Sequence, residues 1–411
     1  MEKLALYGGN PVVRQPLPVV EDASGRFIGE EELALVTEVI RSGRLNYING
    51  EKIARFEKEF ALKFGVKYAA TCSSGTAALH GAVLSLDLEP GDEVIVPPIT
   101  DMGTVIPVLL QNLVPVFADV DPQLHNMDPE SVRANVTEKT KAIIVVHMFG
   151  HAADMDPIME IAREHKLYVI EDCCQAFLTP YKGKLCGTIG DIGCFSFQQS
   201  KHMTTGDGGM FISNDDRLGA RMKLCVDKGW PRDGRFRDHL FLAPAYHMTE
   251  LQAAVGIAQL GKLDAIIDAR RRMARLLSKM LSGLDMVFVP VEREWTDHTY
   301  WKYPLKVDME AVDADMDTLA NALSKEGVPC WAGYTKVPMY MYDVFTKPYT
   351  YGTSGYPLTG SGRTYGEGLC PASEKDLKEM IVFPFCEGYK PEHIRQIADA
   401  VTKVFEHFRK N

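Results

Sequence analysis

One lysine, Lys201, stands between a short apolar run and a glycine-rich turn in Ser196-Phe197-Gln198-Gln199-Ser200-Lys201-His202-Met203-Thr204-Thr205-Gly206-Asp207-Gly208-Gly209-Met210. Residues 192–197 read as a strand, so Lys201 leaves its carboxyl end, where open α/β sheets collect their ligands. A lysine desolvated there loses its proton and attacks a carbonyl carbon, the chemistry of a Schiff base. Taken alone, such a lysine is most often a solvated turn residue, and its companions give it weight.

Asp172 follows the apolar run 168–170 within Glu171-Asp172-Cys173-Cys174-Gln175. A carboxylate at a strand's carboxyl edge stays ionised when it faces a cation such as a protonated pyridine nitrogen. Gln175 can turn its amide towards a phenolic oxygen. A helix N-cap aspartate beside a solvated glutamine explains the same residues equally well. Gly75 and Thr76 stand where a strand over 68–72 hands over to a helix, so their N–H groups and the helix dipole can hold a phosphate. A plain N-cap by Ser74 or Thr76 is the commoner outcome of that pattern. Ser196 adds a hydroxyl on the strand leading to Lys201. Amine, phosphate cradle and carboxylate together are the equipment that holds pyridoxal 5'-phosphate.

The elements that position these groups read as an α/β fold. Strands are expected over 68–72, 93–96, 114–118, 142–146, 168–170, 192–197 and 209–212, with helical segments between several of them. Near-continuous apolar strands of this kind indicate a mostly parallel sheet covered on both faces. Leu33, Val36, Val39 and Ile40 share a helical face ending at Gly43, and Ile53, Phe56, Phe60 and Phe64 form a second. Helices are expected over 249–260 and 264–284, and a smaller α+β domain follows. We expect a large domain over 1–275 and a small one over 276–411. The Gly- and Tyr-rich segment 349–368 reads as a long mobile loop, with a leaning towards disorder.

With 411 residues, 46% hydrophobic, the chain can bury a large core. Its net charge of -10 disfavours a general nucleic-acid or anionic-membrane surface. The run 105–120 is broken by Pro107, Gln111, Asn112 and Pro115, so no membrane span is expected, and residence in the cytoplasm is the expectation. Nine cysteines without a C-x-x-C pair indicate neither a disulfide framework nor a zinc site. Of His147, His151, His202 and His247, only the first two have helical spacing, and Gly150 separates them; no metal is expected.

The chain resembles the DegT/DnrJ/StrS family of sugar aminotransferases, with the fold of aspartate aminotransferase (fold type I), over nearly its whole length. The resemblance shows in Arg41-Ser42-Gly43-Arg44-Leu45, Ser74-Gly75-Thr76-Ala77-Ala78-Leu79, Pro90-Gly91-Asp92-Glu93-Val94-Ile95-Val96-Pro97, Glu171-Asp172 with Gln175, and Met248-Thr249-Glu250-Leu251-Gln252. The Ser-Phe-Gln-Gln-Ser-Lys form around Lys201 is most similar to the glutamine:scyllo-inosose aminotransferase branch. The resemblance implies that Lys201 joins the cofactor as a Schiff base and that Asp172 pairs with the pyridine nitrogen. It also implies that Gln175 meets the ring oxygen, that Gly75, Thr76 and Ser196 hold the phosphate, and that the active site lies at a homodimer interface.

The implied reaction moves an amino group from glutamine or glutamate to a keto-sugar, keto-cyclitol or related ketone. Two features depart from the family. Asp101 stands where an aromatic residue usually stacks on the cofactor, so either Met102 makes that contact or Asp101 meets a polar substrate. Ala245 and His247 stand where some relatives lend an asparagine and an arginine to the partner subunit, which makes His247 a candidate substrate contact. The rival readings are a cofactor-binding regulator without turnover and a keto-deoxysugar dehydratase, whose branch has histidine in place of Lys201. A nicotinamide dehydrogenase is disfavoured, since no G-x-G-x-x-G follows the first strand.

Overall fold

The structure, a computed structural model, describes residues 2–48, 50–234, 236–347 and 349–410. A seven-stranded sheet contains β1 (Tyr68–Cys72), β2 (Glu93–Val96), β3 (Val114–Phe117), β4 (Thr140–Val146), β5 (Tyr168–Asp172), β8 (Ile192–Ser196) and β9 (Gly209–Ser213). Between β5 and β8 lies a two-stranded hairpin, β6 (Pro180–Tyr181) and β7 (Lys184–Leu185). The spatial order of the large sheet is β1-β9-β8-β5-β4-β2-β3. β9 runs antiparallel to both its neighbours, and the other pairs are parallel.

Strand residues alternate between two cores, as the pleat requires. Ile95, Ile143, Val145, Val169 and Phe195 pack with Phe56 and Phe60 on one face. Val94, Val96, Ile144, Ile170 and Cys194 pack with Ala78 and Leu79 on the other. Both faces are covered, which is why these strands read as apolar runs. A smaller antiparallel sheet, in the order β10-β11-β13-β12, is built from β10 (Val287–Phe288), β11 (Lys302–Val307), β12 (Trp331–Ala332) and β13 (Met380–Pro384). Its core takes in Leu4, Val13, Leu17 and Val20 from the N-terminal segment as well as Ile394, Val401 and Phe405 from the last helix.

Three expectations change. The two helices expected over 249–284 are one, Glu250–Leu281, which starts at a capping box between Thr249 and Gln252. Gly261 does not break it: a glycine costs only about 1 kcal/mol there against alanine, while Leu260, Leu263, Ile266 and Ile267 bury on both sides of it. On the first helix, Glu30–Ser42, Val39 is buried but Leu33 and Ile40 are exposed, so the apolar face covers only part of its stripe. Segment 349–368 is irregular but tied down. Arg363 donates to both carboxylate oxygens of Glu93 at 2.9 and 2.7 Å, the Tyr365 hydroxyl donates to the Pro115 carbonyl, and Leu358 is buried. These anchors lie far away in sequence, which is why composition alone suggested mobility.

Candidate active site

Five parallel-running strands deliver their carboxyl ends to one edge, and the antiparallel β9 begins there. β1 leads to Ser74-Gly75-Thr76, β2 to the segment 100–104, β4 to the turn 147–150, β5 ends on Asp172, and β8 ends on Ser196 and continues to Lys201. A cavity of about 710 Å³ opens at this edge, lined by Gly75, Thr76, Asp101, Met102, Asp172, Gln175, Ser196 and Lys201. Of the expected site residues, only His247 lies elsewhere.

Ser74 caps the helix Gly75–Leu86, its hydroxyl accepting from the Ala77 amide at 3.0 Å. Gly75 and Thr76, the first residues of that helix, have no intrahelical acceptor, so their N–H groups are available to an anion. The Ser74 cap uses the Ala77 amide and so does not occupy those of Gly75 and Thr76. The turn is packed too closely for any side chain at Gly75: a Cβ there meets Ser196 Cβ at 2.6 Å. Gly103 likewise makes room for the Thr76 hydroxyl, which stands 2.5 Å from where its Cβ would be.

Asp172 is fixed by two donors. Oδ2 accepts from the Thr104 hydroxyl at 2.8 Å and Oδ1 from the Cys174 amide at 3.0 Å. Thr104 is itself 2.7 Å from the Thr100 hydroxyl. The carboxylate is thus oriented by the loop after β2. Gln175 Oε1 accepts from the Phe149 amide at 2.8 Å, which leaves the Nε2 donor facing the cavity, 3.3 Å from the Tyr334 hydroxyl. Phe149 holds a left-handed backbone (φ 57°) to present that amide.

Lys201 is 9% exposed, and its Nζ lies 3.9 Å from the centre of the Trp301 ring. Burial lowers its pKa, opposed by the nearby Cys174, Asp172 and Asp101. The free amine, which is the nucleophile, gains from that shift. Arg26 Nη1 donates to the Lys201 carbonyl at 2.7 Å. Neighbouring His202 is wholly buried and turned away, with Nε2 2.9 Å from the Thr299 carbonyl.

Asp101 lines the cavity while its Oδ1 caps the following turn, accepting from the Gly103 amide at 2.7 Å. Met102 lines both this cavity and an adjoining apolar cleft of about 720 Å³. His247 lies outside this chain's own cavity. Its ring stacks on Tyr47 at 4.4 Å and its Nε2 lies 2.9 Å from Asp227, in a cluster that also holds Arg232 and Lys228. Ala245 bridges Asp227 on the same surface. The spacing of His247 from Met248 carried no sign of this paired carboxylate.

His147, Glu171 and Cys173 converge within metal-binding distance of one another. Glu171 is already saturated: it accepts from the amides of Gly187, Ile189 and Gly190 and from His147 Nε2. His147 Nδ1 accepts from the Ala153 amide, so its proton sits on Nε2. His147 and Glu171 form a hydrogen-bonded pair behind β5, with Cys173 packed beside them.

Thr100, Thr104, Trp301, Lys302, Tyr334 and Arg26 were missed. The Thr-x-x-x-Thr spacing and the Trp-Lys pair opening a strand are faint signals; Arg26 offers none.

The cavity fits pyridoxal phosphate on its own geometry: a glycine too crowded for a Cβ beside free helix-start amides, an oriented carboxylate, and a buried amine that, among the described residues, has no counter-ion within salt-bridge distance. Residues 26–402 match the model of the DegT/DnrJ/EryC1/StrS aminotransferase family. A GDP-perosamine synthase of Escherichia coli O157:H7 is 41% identical over 71% of this chain and 79% of its own. A putative L-glutamine:3-amino-2,3-dideoxy-scyllo-inosose aminotransferase of Micromonospora echinospora is 32% identical over 98% of this chain and 97% of its own. The solved aminotransferase from Psychrobacter cryohalolentis superimposes with a TM-score of 0.84 at 31% identity, covering 93% of this chain and 98% of that one. This chain belongs to the DegT/DnrJ/EryC1/StrS aminotransferase family and is a pyridoxal-phosphate-dependent transaminase of fold type I.

Proposed function

We propose that the enzyme moves an amino group from glutamine or glutamate to the ketone carbon of a sugar or cyclitol. The observation that carries this is the placement of a buried Lys201, its pKa lowered by desolvation, in one cavity with oriented Asp172 and the open amides of Gly75 and Thr76. The polar wall, with Asp101, Gln175, Ser200 and Thr335, suits a hydroxyl-bearing acceptor.

Bound there, pyridoxal phosphate supplies an electron sink for the carbanion left when a substrate carbon loses its proton. Gly75, Thr76 and Ser196 would hold its phosphate, Asp172 would keep the pyridine nitrogen protonated, Gln175 Nε2 would donate to the ring oxygen, and Met102 would pack on the ring. Lys201 Nζ would hold the cofactor covalently and, as a free amine, would move a proton at the reacting carbons as general base and acid. Arg26 and Trp301 hold that lysine's backbone and head in place. The dehydratase reading gains nothing from His202, which faces Thr299 rather than the cavity.

We further propose a large domain over 1–275, a small one over 276–411, a homodimer, and action in the cytoplasm. The partly exposed stripe of Leu33 and Ile40 supports the dimer as a surface that a second copy covers. The test of function is to load the enzyme and add glutamine or glutamate while following loss of the cofactor's visible absorbance. Keto-sugars and keto-cyclitols are then screened for its return, with the amine product identified by mass. Absorbance unmoved by either donor rejects the donor assignment; return with simple keto acids alone rejects the acceptor class.

A further inference from the structure

Lys302 opens β11 and lines the same cavity as Lys201, yet none of the roles above uses it. Its Nζ stands 4.5 Å from the centre of the Trp301 ring and 4.6 Å from that of Trp331. Among the described residues, no carboxylate lies within salt-bridge distance of it. The nearby cavity carboxylates are committed elsewhere, Asp172 to Thr104 and Cys174, and Asp101 to the Gly103 amide. A half-buried ammonium held between two indoles without a counter-ion is a receptor awaiting an anion.

The position of that anion follows from the shared indole. Lys201 Nζ is 3.9 Å from the Trp301 ring centre, so the two lysine nitrogens are at most about 8 Å apart. An amino acid reacting at Lys201 carries its carboxylate one bond from the reacting carbon, and a hydrogen bond of about 2.8 Å closes the remaining gap to Lys302. A keto-sugar or keto-cyclitol ring has no carboxylate next to its carbonyl. We propose that Lys302 receives the α-carboxylate of the amino donor and so selects amino acids over neutral amines. This rests on the reading of glutamine or glutamate as donor.

The test uses the cofactor-loaded enzyme and glutarate, a dicarboxylate that has no amine to transfer, titrated by calorimetry. K302Q is expected to weaken glutarate binding about tenfold or more and to raise KM for the donor similarly, with KM for the acceptor within about twofold of wild type. Equal glutarate affinity in wild type and K302Q overturns the proposal, as does a wild type that does not bind glutarate. Inorganic phosphate is the second probe: phosphate binding lost in K302Q with glutarate binding intact assigns the lysine to a phosphate on the acceptor and also overturns it. Should K302Q not fold, K302M keeps the alkyl stem between the indoles and is read by the same outcomes. If glutarate binds through Lys302 while glutamine and glutamate both leave the cofactor absorbance unchanged, the donor reading fails and the carboxylate receptor stands.

Discussion

Arg26 Nη1 donates to the carbonyl of Lys201 at 2.7 Å from a guanidinium that is almost wholly buried. The charge is offset by Glu387, 3.5 Å away, whose Oε2 also binds Arg270 Nη2 at 2.8 Å. Burial nonetheless lowers the Arg26 pKa to about 10. The Glu387 carboxylate thus faces two guanidinia, one of which clamps the turn carrying Lys201. Removing one partner of a buried pair leaves an uncompensated charge, at about 3–5 kcal/mol. Glu387→Gln should lose that much stability by urea denaturation, and kcat should fall because the Lys201 turn loosens.

Lys201→Met should abolish turnover and the visible absorbance of the attached cofactor. In the cofactor-free protein it should raise stability at neutral pH, because a buried amine with a lowered pKa penalises the folded state. Thermal denaturation of the two apo proteins checks this, and a less stable variant would contradict it.

Asp172→Asn should cost more rate than binding. An asparagine oxygen can still accept from the Cys174 amide, with its NH2 donating to the Thr104 hydroxyl, but it cannot keep a pyridine nitrogen protonated, so kcat should fall about a hundredfold or more while cofactor retention on dialysis changes modestly. Single-turnover kinetics at saturating donor separate the two.

Gly75→Ala places a methyl 2.6 Å from Ser196 Cβ and 3.0 Å from Cys174 Sγ. Overpacking of this kind costs about 1–3 kcal/mol, and here it pushes apart the walls of the phosphate cradle. Weaker cofactor binding is expected, measured by fluorescence titration, and Gly75→Ala with Ser196→Gly should recover part of it.

Lys302 sets a pH dependence in the apo enzyme. Its pKa falls from 10.5 to about 7, through burial first and then through Lys201 and Arg270, against Glu21. Between those values the unfolded chain binds more protons than the folded one, so stability rises with pH from about 7 towards 10.5. Below about 7 the penalty is complete and constant. Lys302→Met should therefore be more stable than wild type near pH 6.5, with the two converging towards pH 10 in urea titrations.

Much of the site was legible because strand-to-loop handovers are local. An apolar run followed by Asp172, or by Lys201 after a short polar stretch, already states that the group sits at a strand's carboxyl end. The sheet's seven strands were readable for the same reason, since burial on both faces leaves continuous apolar runs. The break expected after 260 is absent because backbone propensity is weak against the packing of a 32-residue helix. The pairing of His247 with Asp227 was not legible because the fold of the intervening loop sets it.

The sequence by itself determined the chemical equipment: the amine, the carboxylate, the helix-start amides and the parallel sheet that carries them. Tertiary structure decided how that equipment is held and what it faces. Thr104 reaches Asp172 across two strands, Trp301 and Tyr334 arrive from the smaller antiparallel sheet and the loop beyond it, and Arg26 comes from the N-terminal segment. These contacts join residues far apart in the chain, so no local periodicity encodes them; they exist only once both sheets have packed.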